Sequence, residues 1–427
     1  MNLLVVVTAL LAMVVGSHAQ CLTSDDTQTN VTNAQAIYIS GSHDFAMRLF
    51  QRLHSSALAE DRNVFYSPHS LWCALSLAYF GAEGDTLLAM EEAMGLTNLT
   101  KVDVMRAFRF IHFWQDIRKM DDKKTDKNTL RVANRLYFDK TEEVKECMTE
   151  LFHDELEMLD FRKHSEEARQ SINQWVETQT ANRIRNLIPA GAVDASTRMV
   201  LANAAYFKGT WYSQFKPEKT KLGLFYSSKE QFTFVNYMTQ SGAFNFGVSE
   251  ELQAHVLELP YLGEQISMFL LLPPFRDGAL NHTVSRLTPQ VFRNAIEMLW
   301  QVDIKNVTVP KFRIEENYDM SDELSELGFE SLFNASAANL NGFSKSGNLV
   351  LGSALHKTFL EVNEEGAEAA AATALITMRT SRPVSPRAFI CDHPFMYVIY
   401  DKMMHTMLFM GTFEYPKAAA LSLDKKV

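Results

Sequence analysis

Between Glu361 and Arg382 the chain reads EVNEEGAEAAAATALITMRTSR. An acidic pair, Glu364-Glu365, and a glycine, Gly366, precede a run of small residues that leads into Thr377-Met378-Arg379-Thr380. Read by twos, Ala367, Ala369, Ala371 and Thr373 fall on one side of an extended chain, with Glu368, Ala370, Ala372 and Ala374 on the other. A strand with only small side chains facing inward can slide between two existing strands without leaving a cavity or overpacking. Taken alone, the stretch is an equally good helix with an apolar face, because alanine has the best helix propensity. The surrounding sequence decides between the two readings.

At 427 residues the chain has no internal repeat and no Pro/Gly/Ser linker, which favours one large domain. The first half reads helical. SPHSLWCALSLAYFGAEGDT starts a helix at Ser67-Pro68 and ends it near Gly81, and VDVMRAFRFIHFWQDIRKM and SEEARQSINQWVETQTANRI place apolar residues three and four apart. Strand signals follow in NTLRVANRLYF, TRMVLANAAYF, HVLELPY, SMFLLLPP and NVTVPKFRI, and the end, AFICDHPFMYVIYDKMMHTMLFMGTF, reads as paired buried strands. Helices and strands mix without regular alternation, so the predicted class is α+β.

The N-terminus has an apolar run from Leu3 to Val15 followed by Ser17-His18-Ala19, which predicts a signal peptide over 1–19 and a secreted, extracellular protein. No second hydrophobic span exists, so no membrane partner is expected. Sequons at Asn30, Asn98, Asn281, Asn306 and Asn334 agree with secretion. Cys21, Cys73, Cys147 and Cys391 allow three pairings, with Cys73 in an apolar run and better read as a buried thiol.

A net charge of −10 argues against nucleic acid as a partner. The densest basic stretch, Arg118, Lys119, Lys123, Lys124 and Lys127, is interrupted by Asp121, Asp122 and Asp126. It reads as a solvated helix end, with a groove for a glycosaminoglycan or other polyanion as the lesser alternative. No G-x-S-x-G, H-E-x-x-H, Walker or C-x-x-C pattern is present, so neither an enzyme, a metal site nor a cofactor is expected. A monomer is expected.

Several long stretches in order resemble one family. NVFYSPHSLWCALSLAYFGAEGDT, RMVLANAAYFKGTW, LGSALHKTFLEVNEEGAEAAAAT and FICDHPFMYVI are similar to segments of the serpins, suicide inhibitors of serine proteases. The likeness covers 44–416, with an N-terminal extension over 20–43 and a tail over 417–427. It implies a single domain with three β-sheets, a helical shell and an exposed reactive-centre loop. The hinge of that loop would run from Glu364 and Glu365 through Gly366, Ala367, Glu368, Ala369, Ala370, Ala371 and Ala372 to Thr373. By the same likeness Ser67, Ser70, Asn203 and His356 would meet where central strands must part, and Lys311 and Glu364 would pair near Trp211. The ending RTSRPVSPRAFICDHPF looks most like secreted arthropod serpins, among them haemolymph and salivary inhibitors.

Arginines at 379, 382 and 387 point to a trypsin-like protease. The commonest family spacing from Gly366 puts the cleaved bond after Thr380. Arg382 is followed by Pro383, which lacks an N–H, and Arg387 lies far from the hinge. Arg379–Thr380 is therefore the expected bond, with Thr380–Ser381 and the bond after Arg382 as alternatives. Other readings remain: a non-inhibitory serpin acting as a carrier, or a polyanion-binding protein.

Overall fold

Tyr38, Gly41, Phe45, Leu49 and Leu53 recur at helical spacing and line the buried side of the first helix, α1 (Ala34–Leu58). α1 begins at Ala34, so it starts within the segment 20–43 and runs on past Asp44. A Cβ on Gly41 would lie 2.3 Å from the Met94 carbonyl, so α1 closes tightly on the next layer there. The computed structural model describes Leu22 and residues 33–125, 128–344, 347, 349–365 and 388–419.

Among the described residues, the other α-helices of six residues or more are α2 (Pro68–Gly81), α3 (Gly84–Met94), α4 (Lys101–Thr125), α5 (Glu146–Leu151), α6 (Phe161–Gln179), α7 (Ala279–Ser285) and α8 (Pro289–Glu297). Every residue of α2 is buried, as expected of a helix apolar on all sides. Ser67 caps it, its hydroxyl oxygen accepting the Ser70 N–H at 3.2 Å, and Pro68 sits in the first turn, where a missing N–H costs nothing.

Among the described residues fourteen strands follow the order β1 (Phe65–Tyr66), β2 (Asn128–Asp139), β3 (Leu156–Leu159), β4 (Met199–Gly209), β5 (Lys221–Tyr226), β6 (Phe232–Ser249) and β7 (Ala254–Pro260), continuing with β8 (Ile266–Leu272), β9 (Trp300–Pro310), β10 (Phe312–Asp319), β11 (Leu351–Val362), β12 (Ala388–Ile390), β13 (Phe395–Asp401) and β14 (Thr406–Phe413). Five form one sheet in the order β10-β11-β4-β2-β3. The other nine form a sheet ordered β1-β14-β13-β8-β7-β6-β9-β12, with β5 also on β6.

Two expectations change. Hydrogen bonding joins two of the three expected sheets, because β6 carries β5 on its first half and β7 on its last, with a register shift between Gln240 and Gly242. NVTVPKFRI is not one strand but two, in different sheets. The break is Lys311, whose N–H turns aside to the Asn236 carbonyl at 2.7 Å. One core lies among α1, α2, α4 and the sheets, a second between the two sheets, and a third beneath α6.

Candidate functional site

In the middle of the five-stranded sheet β11 and β4 run parallel, paired from Leu351 and Met199 up to Leu360 and Phe207. β10 and β2, on their outer sides, are each antiparallel to them. The β11–β4 ladder is shifted between Leu351 and Ala354. Parallel ladders are slightly weaker per residue than antiparallel ones. A strand turning back after β11 and entering this seam would be antiparallel to both neighbours.

Four residues stand at one register across four strands: Tyr318 opposite His356, His356 opposite Asn203, and Asn203 opposite Asn134. The start of α2 sits against this row. The Ser67 N–H donates to His356 Nε2 at 3.0 Å, and the Ser67 hydroxyl donates to the Leu408 carbonyl at 2.7 Å. His356 Nδ1 is held on the Asn203 Oδ1, so the imidazole carries its proton on Nδ1. Asn203 Nδ2 donates to the Ser70 carbonyl at 2.9 Å and to Asn134 Oδ1, which also accepts the Ser70 hydroxyl at 2.9 Å. Asn134 Nδ2 returns a bond to the Ser70 carbonyl at 3.2 Å. Burial pushes the His356 pKa down to about 3. A second proton would also place an N–H against the Ser67 N–H.

The sequence names Ser67, Ser70, Asn203 and His356, and they lie together; Asn134 and Tyr318 were not named. Asn134 has a sequence signal, since Val132-Ala133-Asn134 and Leu201-Ala202-Asn203 are two copies of an apolar-Ala-Asn triplet whose asparagines lie opposite each other across the antiparallel β2–β4 pair.

At the end of β11 the chain is pinned. Trp211 Nε1 donates to the Asn363 carbonyl at 2.8 Å while its ring stacks on Tyr261 with centroids 4.4 Å apart. Lys311 Nζ lies 2.7 Å from Glu364 Oε2, and the Thr220 hydroxyl donates to Glu364 Oε1 at 2.7 Å. Burial alone would raise the Glu364 pKa, but the Lys311 and Thr220 hydrogen bonds outweigh it and hold the carboxyl below its ordinary value. Gln214 Nε2 donates to the Glu365 carbonyl at 2.9 Å, and the Phe215 N–H to the Glu364 carbonyl at 3.2 Å. The sequence finds Lys311, Glu364 and Trp211; Thr220, Tyr261 and Asn363 come from three separate segments and carry no local signal.

Gly366, Ala367, Glu368, Ala369, Ala370, Ala371, Ala372, Thr373, Arg379, Thr380, Ser381 and Arg382 lie outside the described residues, as does Asn30. The chain resumes at Ala388 in β12, which pairs with β9. Asn98 and Asn334 are exposed in loops and Asn281 is exposed on α7, while Asn306 is half-buried in β9 with the Thr308 hydroxyl donating to its Oδ1 at 2.8 Å. Cys73 and Cys391 are free and buried, burial pushing the Cys73 thiol up to about 12. Cys147 is disulfide-bonded. Among the described residues no cluster of His, Cys, Asp and Glu could hold a metal, and no helix is long and apolar enough to cross a membrane.

A sequence model of the family described as Serpin (serine protease inhibitor) matches residues 40–416. "Serine protease inhibitor 88Ea" of Drosophila melanogaster is 36% identical over 392 residues, 88% of this chain and 90% of that protein. "Leukocyte elastase inhibitor" of Sus scrofa is 37% identical over 384 residues, 87% of this chain and 97% of that protein. Among solved structures, maspin superposes with a TM-score of 0.80 at 26% identity, over 90% of this chain and all of maspin (100%).

Proposed function

The chain belongs to the serpin family, and from that premise we propose that it is a secreted suicide inhibitor of a trypsin-like serine protease. The observation that carries this reading is the parallel β11–β4 seam: in the sequence β11 is followed by the small-residue segment, and a strand of that composition can enter once the two strands part. The protease's own serine attacks the loop and forms an acyl-enzyme, with this chain contributing no catalytic group. The freed loop then enters the seam and turns one parallel ladder into two antiparallel ones. The tethered protease is carried across the molecule and distorted before water can release it. The starting fold is therefore a kinetically trapped state.

Arginines in the loop support a trypsin-like target, because a guanidinium pairs in bidentate fashion with a carboxylate at the base of such a pocket. The hydrophobic leader, the exposed sequons at Asn98, Asn281 and Asn334, and the disulfide at Cys147 support secretion and glycosylation. The downstream role is control of a proteolytic cascade, immune or clotting. Incubation of the mature protein with trypsin-like proteases tests the reading: a band near the summed masses should survive SDS. Cleavage of the loop with protease activity left intact would assign the chain to the non-inhibitory or polyanion-binding members instead.

A further inference from the structure

The hairpin of β5 and β6 carries an uncovered apolar face. Leu222, Leu224 and Tyr226 stand opposite Asn236, Phe234 and Phe232, so these side chains share one side. Leu222, Phe232 and Phe234 are 44%, 58% and 43% exposed, and Phe275, 49% exposed, lies with its ring 5.8 Å from Tyr226. The edge of β6 next to this face is open as well. β9 pairs with β6 only from Tyr237 onward, leaving residues 232–236 with β5 on one side alone.

Two hydrogen bonds reach that open edge. The Lys311 N–H donates to the Asn236 carbonyl at 2.7 Å, and the Ala419 N–H donates to the Phe234 carbonyl at 2.9 Å. Along a strand, the backbone groups of every second residue point to the same side, so those of Phe232 are next in line. Since Asn236 is already taken by Lys311, a chain continuing from Ala419 can extend the pairing only toward Phe232, antiparallel to β6. In such a pairing, with Ala419 opposite Phe234, Leu421 would come opposite Phe232 and on the same outer side, and Ala420 and Ser422 would turn to the other.

We propose that residues 420–427, which lie outside the described residues, dock on this edge as a third strand of the hairpin, with Leu421 covering Phe232. Ala418, Ala419 and Ala420 are small enough to lie flat, and Asp424-Lys425-Lys426 returns the chain to water after a few residues. The tail thereby closes an edge that would otherwise pair with another chain.

Hydrogen exchange at peptides covering 230–236 tests this in the secreted protein. The slowest amides should exchange at least tenfold faster in a chain ending at Ala419 than in the full chain, independently of protein concentration. A double variant, Phe232→Cys with Leu421→Cys, should form a disulfide on mild oxidation, because directly opposed hydrogen-bonded residues sit about 5.5 Å apart. Phe232→Cys with Ser422→Cys should not. Equal exchange in the two chains, or efficient bridging from Ser422→Cys, overturns the proposal. Protection that grows with protein concentration also overturns it, by assigning the edge to a second copy.

Discussion

His356 and Asn203 face each other directly across the parallel β4–β11 seam, and the one proton of the buried imidazole rests on the asparagine carbonyl. Parting the strands breaks this contact, while Asn203 keeps Ser70 and Asn134 on its own side and His356 keeps the Ser67 N–H on the other. The seam can thus open with few buried polar groups stranded, which matters because each would cost roughly 1–3 kcal/mol.

The neutral state of His356 makes this region acid-sensitive. Its folded pKa, about 3, lies below the ordinary value of 6.5, so the stabilisation is complete above pH 6.5. As pH falls from there toward 3 the unfolded chain takes up a proton that the folded chain refuses, and stability declines by on the order of a few kcal/mol. The urea midpoint should fall between pH 7 and pH 4, and His356→Gln should flatten that fall. An unchanged slope in the variant would place the acid sensitivity elsewhere.

Glu364 anchors the exit of β11 through Lys311 and Thr220. Glu364→Ala should lower thermal stability by about 1–2 kcal/mol and speed exchange at the Asn363 and Glu365 amides. The carboxyl is held below its ordinary pKa, so its contribution is present at neutral pH and lost as pH drops through the folded value. Trp211→Phe keeps the ring on Tyr261 but removes the bond to Asn363, and should cost about 1 kcal/mol.

Ala367→Arg or Ala369→Glu should convert the inhibitor into a substrate, since an unpaired charge would have to be buried in the completed sheet. Protease should then be released active, with the loop cut. In the unmodified chain, cleavage between about Ala372 and Thr380 should raise the unfolding temperature by a wide margin. A melting curve unmoved by verified cleavage would contradict strand insertion.

Arg379→Ala should abolish inhibition, whereas Arg382→Ala should only slow it. N-terminal sequencing of the peptide freed from the complex should begin Thr380-Ser381-Arg382-Pro383. A start at Ser381 or at Pro383 would move the bond by one or three residues and leave the inhibitory reading standing.

Features set by neighbouring residues were legible in the sequence. The cap at Ser67, the proline after it and the stop near Gly81 delimit α2 by local chemistry alone. β5 and the first half of β6 were not legible, because their outer face carries Leu222, Phe232 and Phe234 and so lacks the polar alternation of a half-buried strand. α1 was missed in part because its buried side is mixed with Gly41, His43 and His54. The row from Tyr318 to Asn134 depends on register between strands far apart in the chain, and only the repeated Ala-Asn hints at it. Lys311 ends one strand and begins another through a bond to Asn236, a long-range event with no local mark.

The place of β13 and β14 bears on how the chain reaches its native state. β1, made near the start of synthesis, has β14 as its partner, and β13 lies between β14 and β8. The nine-stranded sheet must therefore wait for the last residues to leave the ribosome, at about 5–20 residues per second. By then β11 and the segment after it have already emerged. For some seconds the nascent molecule holds every strand of the smaller sheet and the segment that could fill its seam, but not the strands that complete the larger one. If that segment can enter the seam as proposed above, productive folding requires the carboxyl-terminal hairpin to dock first. Slow delivery or late docking of 395–413 would send the chain to the filled sheet at birth, with no protease involved.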